Sequence, residues 1–392
     1  MTFRNPLITV AGHICLDIIP TFSPDAMAGR TDLADLLAPG TLTNTGPALT
    51  ATGGAVTNTG LALYQLGVNT RLMGKVGADQ FGQATLDVLR SYDPALADGM
   101  IVDADAASSY TIVINPPGVD RVFLHYPGPN DTFAAADVSD EALRATQIFH
   151  FGYPPIMARM FAHNGQELVA LLQRARQCGA VTSLDMAYPD PASPAGQADW
   201  PAILAGALPH ADIFLPSLEE TLFMLDRERH DALRDRGDII MQADGALLRE
   251  LSDRILAMGV AVAGLKLGEQ GFYVRTTDDT ARLGALAPLL GDQLDGWLNR
   301  ELLAPCFRID VAGTTGAGDS TIAGFLAGLS RGLPLEETVD LAAGVGACRV
   351  ESLHGSRGIP ALETVRTRIN AGWPRRSTQF SLHSGNGPRP LV

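Results

Sequence analysis

Residues 313–332 read GTTGAGDSTIAGFLAGLSRG, a glycine-rich turn that runs directly into a segment of helical period. The first amide groups of a helix have no intrahelical acceptor and lie at the positive end of the helix dipole, so this turn suits a bound phosphate. Asp319 enters the first helical turn, where a bound phosphate would repel its carboxylate. Accepting a proton from an attacking hydroxyl group is a chemical reason for a carboxylate there. The alternative is an aspartate that only caps the helix after a flexible loop.

Outward from this turn, runs rich in Val, Ile and Phe alternate with segments of helical period. This alternation predicts a three-layer α/β/α fold with a mostly parallel central sheet, in which ligands bind at the carboxyl ends of the strands. We expect strands at residues 7–11, 71–75, 147–151, 181–185, 212–216, 260–266 and 271–275, and helices at residues 57–66, 80–89, 166–178 and 245–258.

Two segments interrupt the alternation. Residues 21–52 are rich in Pro, Gly, Thr and Asp, and residues 108–132 contain two extended runs, SYTIVIN and DRVFLHY, joined by the turn sequence PPGVD. Together they predict a small β-sheet lid.

Three other segments fall outside the regular pattern. We interpret the charged residues 225–251 as a solvated helix pair and residues 285–306 as a loop insertion. The folded domain then spans residues 1–372, and residues 373–392 form a tail without periodicity that is poorly ordered or lies on the surface.

The composition excludes several classes of partner. Of the 392 residues, 46% are hydrophobic and 18% are charged, as in a globular protein, and the formal net charge of −14 disfavours a nucleic acid as partner. No apolar run reaches the roughly 18 residues that a membrane span requires, and the N-terminus lacks the layout of a signal peptide. We therefore expect a cytoplasmic protein that binds no membrane.

The cysteines and histidines show no spacing typical of a metal site. The four cysteines, at positions 15, 178, 306 and 348, form no CxxC pair, and the eight histidines form no HxxxH or HxH pattern. We expect reduced thiols and no zinc site.

The chain has only two lysines, and the other basic residues are arginine. Lys75 and Lys266 each lie in a segment punctuated by glycine, GKVGADQFG and KLGEQG. A compact ammonium group suits a phosphate or a tight turn, but two lysines left by chance under a codon bias would explain the pattern equally well.

The turn at residues 313–319 resembles the second signature of the ribokinase-like (PfkB-type) carbohydrate kinases. Further segments resemble this family and follow its order along the chain, so that the resemblance spans about residues 7–360. They are GHICLD at 12–17, TGGAVTNTGLAL at 52–63, GKVGADQFG at 74–82, HYPGPND at 125–131 and KLGEQG at 266–271.

The resemblance implies roles for residues on the acceptor side. Asp319 would be the catalytic base, and the backbone amides around Gly316, Ala317 and Gly318 would stabilise charge on the transferred phosphoryl group. Asp17 would accept hydrogen bonds from sugar hydroxyl groups, and Gly53, Gly54 and Asn58 would close the sugar pocket. From the residues alone, Asp17 could equally be a turn residue at a strand end. Asn58 could also be a helix N-cap.

On the nucleotide side, the resemblance implies ATP and Mg²⁺. The nucleotide would contact Lys266, Gly268, Gly271 and Thr315, and Glu220 in the segment PSLEET would hold Mg²⁺ through water. Two departures from the family pattern stand out: Ser217 replaces an expected asparagine, and Gly313 replaces an aspartate that helps to hold an activating monovalent cation. Asp310 lies three residues before Gly313, so a monovalent cation is doubtful.

These observations predict an ATP-dependent sugar kinase that transfers the γ-phosphate to a hydroxyl group of a small carbohydrate. A nucleoside or vitamin-alcohol kinase of the same fold remains an alternative, as does a sugar- or nucleotide-binding protein without catalysis. A dinucleotide-binding protein is excluded because no GxGxxG follows the first strand. Family members often pair through such lids, so the resemblance also implies a homodimer.

Overall fold

The structure, a computed structural model, describes residues 7–23, 33–40, 42–116, 122–352 and 355–380. Parts of the two predicted lid segments and the end of the predicted tail lie outside the described residues, namely residues 24–32, 41, 117–121 and 381–392.

Fourteen strands lie within the described residues. In chain order they are β1 Ile8–Gly12, β2 Cys15–Pro20, β3 Ala48–Gly53, β4 Thr70–Met73, β5 Lys75–Gly77, β6 Ile101–Asp103, β7 Tyr110–Ile114, β8 Val122–Tyr126, β9 Ile148–Gly152, β10 Val181–Leu184, β11 Ile213–Phe214, β12 Val262–Lys266, β13 Phe272–Thr276 and β14 Glu301–Ala304.

Eight of these strands form the central sheet, in the order β14-β13-β12-β11-β10-β9-β1-β4. The pairs from β12 to β4 are parallel, whereas β12–β13 and β13–β14 are antiparallel. The parallel strands read as continuous apolar runs because both faces of the sheet are covered. The prediction of a mostly parallel sheet is confirmed.

Helices cover both faces of this sheet. They are α1 Leu33–Leu36, α2 Ala55–Gln65, α3 Gln80–Arg90, α4 Asp140–Arg144, α5 Ala158–Gln177, α6 Trp200–Ala207, α7 Leu218–Leu225, α8 Arg227–Arg234, α9 Ile239–Gln242, α10 Gly245–Ala257, α11 Thr280–Leu283, α12 Ala287–Leu290, α13 Ala317–Ser330, α14 Leu335–Glu351 and α15 Leu362–Asn370. One apolar cluster contains side chains of α2, α13 and α14, and a second contains side chains of α5, α6, α7 and α10. The two clusters lie on opposite faces of the sheet and complete the three layers.

A second sheet has four strands in the order β3-β2-β7-β8. The strands β7 and β8 form the hairpin predicted within residues 108–132, and β3 lies in the other predicted segment. The strand β2 begins at Cys15, before the predicted segment at 21–52, because the chain turns after Gly12 and leaves the central sheet. Asp17 is therefore inside a strand of the small sheet, not in a turn at the end of β1.

The predicted loop insertion at residues 285–306 is wrong. These residues contain α12 and end in β14, which forms the edge of the central sheet. Trp297 and Leu303 in this segment are fully buried. The strand β14 was not predicted because it is only four residues long and begins with a charged residue. Its antiparallel pairing with β13 stabilises it.

The predicted tail also differs from the structure over residues 373–380. The Trp373 ring stacks on Phe307 with 4.4 Å between ring centroids, and its indole N–H donates to the Arg308 carbonyl at 3.1 Å. Phe380 is buried as well. Two aromatic side chains thus pack this segment onto the domain.

No helix among the described residues is both long enough and apolar enough to cross a membrane.

Candidate active site

Asp319 lies in the first turn of α13 and is 4% exposed. The Tyr153 hydroxyl donates to both of its carboxylate oxygens at 2.8 Å. The Asn58 amide donates at 3.1 Å, and the Thr59 hydroxyl lies 3.5 Å from the other oxygen. A carboxylate offers about four acceptor positions, so these three side chains fix its orientation and leave about one position for a ligand.

The surroundings of Asp319 make it a stronger base than an ordinary aspartate. Burial raises its pKa, while the Lys266 charge and the hydrogen bonds from Tyr153, Asn58 and Thr59 act in the opposite direction without reversing the shift. Burial and the Asp319 charge raise the pKa of Tyr153 well above its usual value. Tyr153 therefore keeps its proton and donates a hydrogen bond to Asp319.

The backbone before Asp319 forms the predicted turn. Gly316 has φ 75°, a left-handed conformation that favours glycine over other residues. The Ala317 N–H already donates to the Thr314 carbonyl at 3.2 Å, so among the predicted donors the Gly318 amide is the better placed for an anion. Thr315 is exposed in the same turn.

Two basic side chains flank this turn. A Cβ atom built on Gly318 would lie 3.8 Å from the Lys266 Nζ, and one built on Gly316 would lie 3.4 Å from the Arg349 Nε. Burial lowers the pKa of the half-buried Arg349, and the nearby Asp319 charge opposes this shift. The turn therefore has an ammonium group on one side and a guanidinium group on the other, an arrangement suited to a phosphate.

Lys266 is paired with a buried carboxylate that the sequence did not reveal. Its Nζ lies 2.6 Å from the Asp185 Oδ1, and Asp185 is fully buried at the end of β10. Burial and the charges of Glu220 and Asp319 raise the pKa of Asp185, against the opposing effect of Lys266. Among the described residues, the Asp185 Oδ2 has no hydrogen-bond partner.

Glu220 and Ser217 form a capping box at the start of α7. The Ser217 hydroxyl accepts from the Glu220 N–H at 3.1 Å, and the Glu220 Oε2 accepts from the Ser217 N–H at 2.7 Å. Serine at position 217 thus caps α7, and the capping box fixes the Glu220 carboxylate against the Ser217 N–H. Glu220 is close enough to both to raise their pKa values.

A Cβ atom built on Gly313 would meet no atom of the described residues within 4 Å. The amides of Ala312 and Gly313 donate to the Val350 carbonyl at 2.9 and 3.2 Å, which engages that oxygen. Asp310 is exposed in the preceding loop.

The predicted nucleotide turn follows β12. Gly268 has φ 53°, and its carbonyl oxygen lies 3.4 Å from the Cys306 Sγ. A Cβ atom on Gly271 would lie 2.1 Å from the Ala304 oxygen, so this position requires glycine. An open cavity of about 400 Å³ lies beside the residues that follow β14, and it is lined by Arg308, Ile309, Arg376 and Ser377.

On the acceptor side, Asp17 points from the small sheet toward the start of α2. A Cβ atom on Gly53 would lie 2.5 Å from the Asp17 Oδ2, so only glycine admits the carboxylate there. Burial raises the pKa of Asp17 to about 6, although hydrogen bonds from Cys15 and Thr111 oppose the shift.

The β3–α2 connection joins the acceptor side to Asp319. Gly54 is the N-cap of α2, and the Asn58 N–H donates to the Gly54 carbonyl, so Asn58 lies one turn inside the helix and is not its N-cap. Asn58 contacts Asp319, whereas Gly53 contacts Asp17. Gly53 at the end of β3 and Asn58 in the first turn of α2 are five positions apart in the chain.

His13 lies against Gly54 in the β3–α2 connection, and His125 lies beside His13. The ring centroids of His13 and Tyr153 are 6.3 Å apart, and those of His13 and His125 are 5.0 Å apart. The Nε2 atoms of the two imidazoles lie 3.3 Å from each other. Desolvation lowers the pKa of both imidazoles, and the neighbouring His125 lowers that of His13 further.

Several side chains of the site carry no local sequence signal. Tyr153 and Asp185 each follow a strand of the central sheet, so the rule that ligands bind at strand ends could have found them. Arg349 and His125 could not be found in this way, because an α-helix and the edge of the small sheet supply them. Lys75, the other lysine, pairs with Asp137 at 3.1 Å.

Comparisons with known proteins agree with this fold. The profile of the pfkB family carbohydrate kinases matches residues 37–362. The chain is 24% identical over 302 residues to an uncharacterized sugar kinase of Archaeoglobus fulgidus, covering 76% of this chain and 98% of that protein. It is 24% identical over 378 residues to Fructokinase-1 of Oryza sativa subsp. japonica, and this match covers 93% of this chain and 97% of that protein.

A solved structure of a fructokinase with bound ATP from Xylella fastidiosa shares the fold, with a TM-score of 0.66 at 19% identity, over 94% of this chain and 99% of that one. The family profile covers most of the chain, and the shared fold extends over nearly all of it. The chain belongs to the pfkB family of carbohydrate kinases.

Proposed function

We propose that the protein transfers the γ-phosphate of ATP to a hydroxyl group of a small carbohydrate, with Asp319 as the base. The observation that carries this proposal is the environment of Asp319: a buried carboxylate of raised pKa, held by three side chains in the first turn of α13. Asp319 takes the proton of the acceptor hydroxyl group as its oxygen attacks the γ-phosphorus, and the bond to ADP breaks.

The phosphate side of the site supports ATP as the donor. The Gly318 amide, Lys266 and Arg349 surround the turn before α13 with positive potential, which stabilises charge on the transferred group. The turn after β12 and the adjacent cavity of about 400 Å³ are suited to the nucleoside.

Mg²⁺ fits the carboxylates beside Lys266. Asp185 offers a buried oxygen without a partner among the described residues, and Glu220 offers a second carboxylate oriented by its capping box. Oxygen ligands are those that Mg²⁺ prefers, and it retains several water molecules in such sites. When bound, Mg²⁺ would neutralise charge on the ATP phosphates.

The acceptor side favours a small polyhydroxylated molecule. Asp17 offers carboxylate oxygens to hydroxyl donors, and it lies beside Gly53, five residues before Asn58, which contacts Asp319. A monosaccharide carries several hydroxyl groups, so it can donate to both carboxylates.

The small sheet supports a homodimer. Its register places Ile18, Ile112 and Leu124 side by side on the face opposite Asp17 and Thr111. Leu124 is 51% exposed and the nearby Tyr126 is 43% exposed. A row of exposed apolar side chains is typical of a contact surface, here for a second copy of the chain.

Acceptor-dependent release of ADP from Mg·ATP tests the proposal. A panel of monosaccharides, nucleosides and vitamin alcohols is compared with a sample that lacks acceptor, and the Asp319→Asn variant controls for contaminating kinases. We expect turnover with a monosaccharide that the variant loses. Turnover only with a nucleoside or vitamin alcohol would refute the carbohydrate assignment, and no turnover with any acceptor would favour a binding protein.

A further inference from the structure

The acceptor side of the site brings His125 next to metal-ligating side chains of residues 13–17, which are distant from it in sequence. The candidate ligand atoms of His13, Cys15 and His125 all lie within 4.8 Å of one another. The Asp17 Oδ1 lies 3.4 Å from the Cys15 Sγ. We call these four residues the His–Cys cluster. They meet because β1 continues into β2 after a short turn and β8 returns through the hairpin to the same face.

Two of the distances between ligand atoms in this cluster already match those of a tetrahedral metal site. Around zinc, two nitrogen ligands lie about 3.4 Å apart, and a sulfur and an oxygen ligand lie about 3.5 Å apart. The Nε2 atoms of His13 and His125 are 3.3 Å apart, and the Cys15 Sγ and Asp17 Oδ1 are 3.4 Å apart. To bind one ion, the ligand atoms of His13, Cys15 and His125, which lie within 4.8 Å of one another, need to approach by about 1 Å.

The surroundings prepare the imidazoles as ligands. The Thr111 hydroxyl lies 3.0 Å from the His125 Nδ1, which orients the ring with its Nε2 toward His13. Between the two facing Nε2 atoms, one proton at most can be shared, so at least one lone pair points into the cluster. His13 is 2% exposed, and among the described residues its Nδ1 has no hydrogen-bond partner. Hydrogen bonds within the protein therefore do not fully satisfy this buried ring.

We propose that the His–Cys cluster binds a divalent cation of the zinc class, and that the bound ion excludes the acceptor. Imidazole and thiolate ligands select Zn²⁺ or Co²⁺ over Mg²⁺, which prefers oxygen ligands. On binding, the Cys15 thiol releases its proton to solvent and its sulfur bonds to the metal. The exclusion of the acceptor rests on the proposed function, in which Asp17 binds acceptor hydroxyl groups.

Titration of the full chain with Co²⁺, in a buffer that contains Mg²⁺, tests the metal site without any enzymatic assay. We expect saturable visible bands of tetrahedral Co²⁺ and a thiolate-to-cobalt charge-transfer band in the near ultraviolet. Cys15→Ser should abolish the charge-transfer band and weaken binding about tenfold or more, whereas the control Cys178→Ser, outside the cluster, should keep both. No saturable band, or the same band in Cys15→Ser, would overturn the proposal.

Inhibition of phosphotransfer by Zn²⁺ tests the exclusion of the acceptor. We expect inhibition that is competitive with the acceptor and not with Mg·ATP, and that requires about tenfold or more Zn²⁺ in a folded Cys15→Ser protein. Equal sensitivity of the two proteins, or competition with Mg·ATP, would overturn the exclusion. If the chain phosphorylates none of the acceptors, the proposed function fails, and the Co²⁺ titration alone decides the metal site.

Discussion

Tyr153 controls the basicity of Asp319 through a single hydroxyl group. Its O–H donates to both carboxylate oxygens and so lowers the pKa of Asp319 below the value that burial alone would give. Tyr153→Phe removes this donor, and the pKa of Asp319 then rises. Because the base acts in its ionised form, the acid limb of the profile of kcat/KM against pH should move to higher pH. Tyr64→Phe is the control and should leave the acid limb where it is. An unchanged acid limb in Tyr153→Phe would show that Tyr153 does not set the pKa of Asp319.

We expect Asp17 to act on the acceptor rather than on the nucleotide. In Asp17→Ala, we expect acceptor affinity to fall by the value of a hydrogen bond to a charged group, about 1.5–3 kcal/mol, while the affinity for ATP holds. Steady-state KM values for both substrates measure the difference, and Asp98→Ala, at an exposed aspartate, is the control. Equal acceptor affinity in wild type and Asp17→Ala would place Asp17 outside the pocket.

Some residues of the site belong to one local segment of the sequence, and others meet only in the folded chain. Asp319 and Gly316 could be predicted because they belong to one short segment whose chemistry is local. Asp185 was missed although it directly follows β10, because its importance comes from a contact with Lys266, 81 positions away. The His–Cys cluster could not be predicted for the same reason. We expect no zinc site from the sequence because it has no local metal-ligand spacing, whereas His13 and His125 meet across 112 positions in the structure.

Among the secondary-structure elements, α7 carries the residue that we assign to Mg²⁺. Glutamine also completes a capping box, so Glu220→Gln should leave the melting temperature nearly unchanged. Loss of the charge should raise the free Mg²⁺ needed for half-maximal activity, by about tenfold or more. Glu219→Gln changes the same charge in the same helical turn and is the matched control. An unchanged Mg²⁺ requirement in Glu220→Gln would limit Glu220 to its capping role.

The elements that could be predicted are those with strong local periodicity. The parallel strands and the helices α3 and α10 lie within one or two residues of their predicted bounds. The helix α2 begins at Ala55, two residues before its predicted start at 57, because Gly54 caps it. The edge strand β14 was missed because its partner, not its sequence pattern, determines its structure.

At the scale of the whole molecule, the small sheet determines the expected assembly. Light scattering after size-exclusion chromatography should give twice the mass of the chain. Leu124→Asp places a charge in the exposed apolar row and should give the mass of one chain. Met241→Asp, at a residue of similar exposure on α9, should keep the dimer. A monomeric wild-type protein would contradict the assembly.

The central claim is that Asp319 acts as the base, and the turnover of Asp319→Asn tests it most directly. Asparagine keeps the size of the side chain but cannot take a proton at neutral pH. We expect kcat to fall by about 10²–10⁴-fold, with ATP affinity unchanged or slightly higher because one negative charge beside the phosphates is gone. A residue that only caps α13 would cost about 1 kcal/mol or less of stability and leave turnover intact. Near wild-type kcat in a folded Asp319→Asn protein, measured with its own acceptor, would contradict the account.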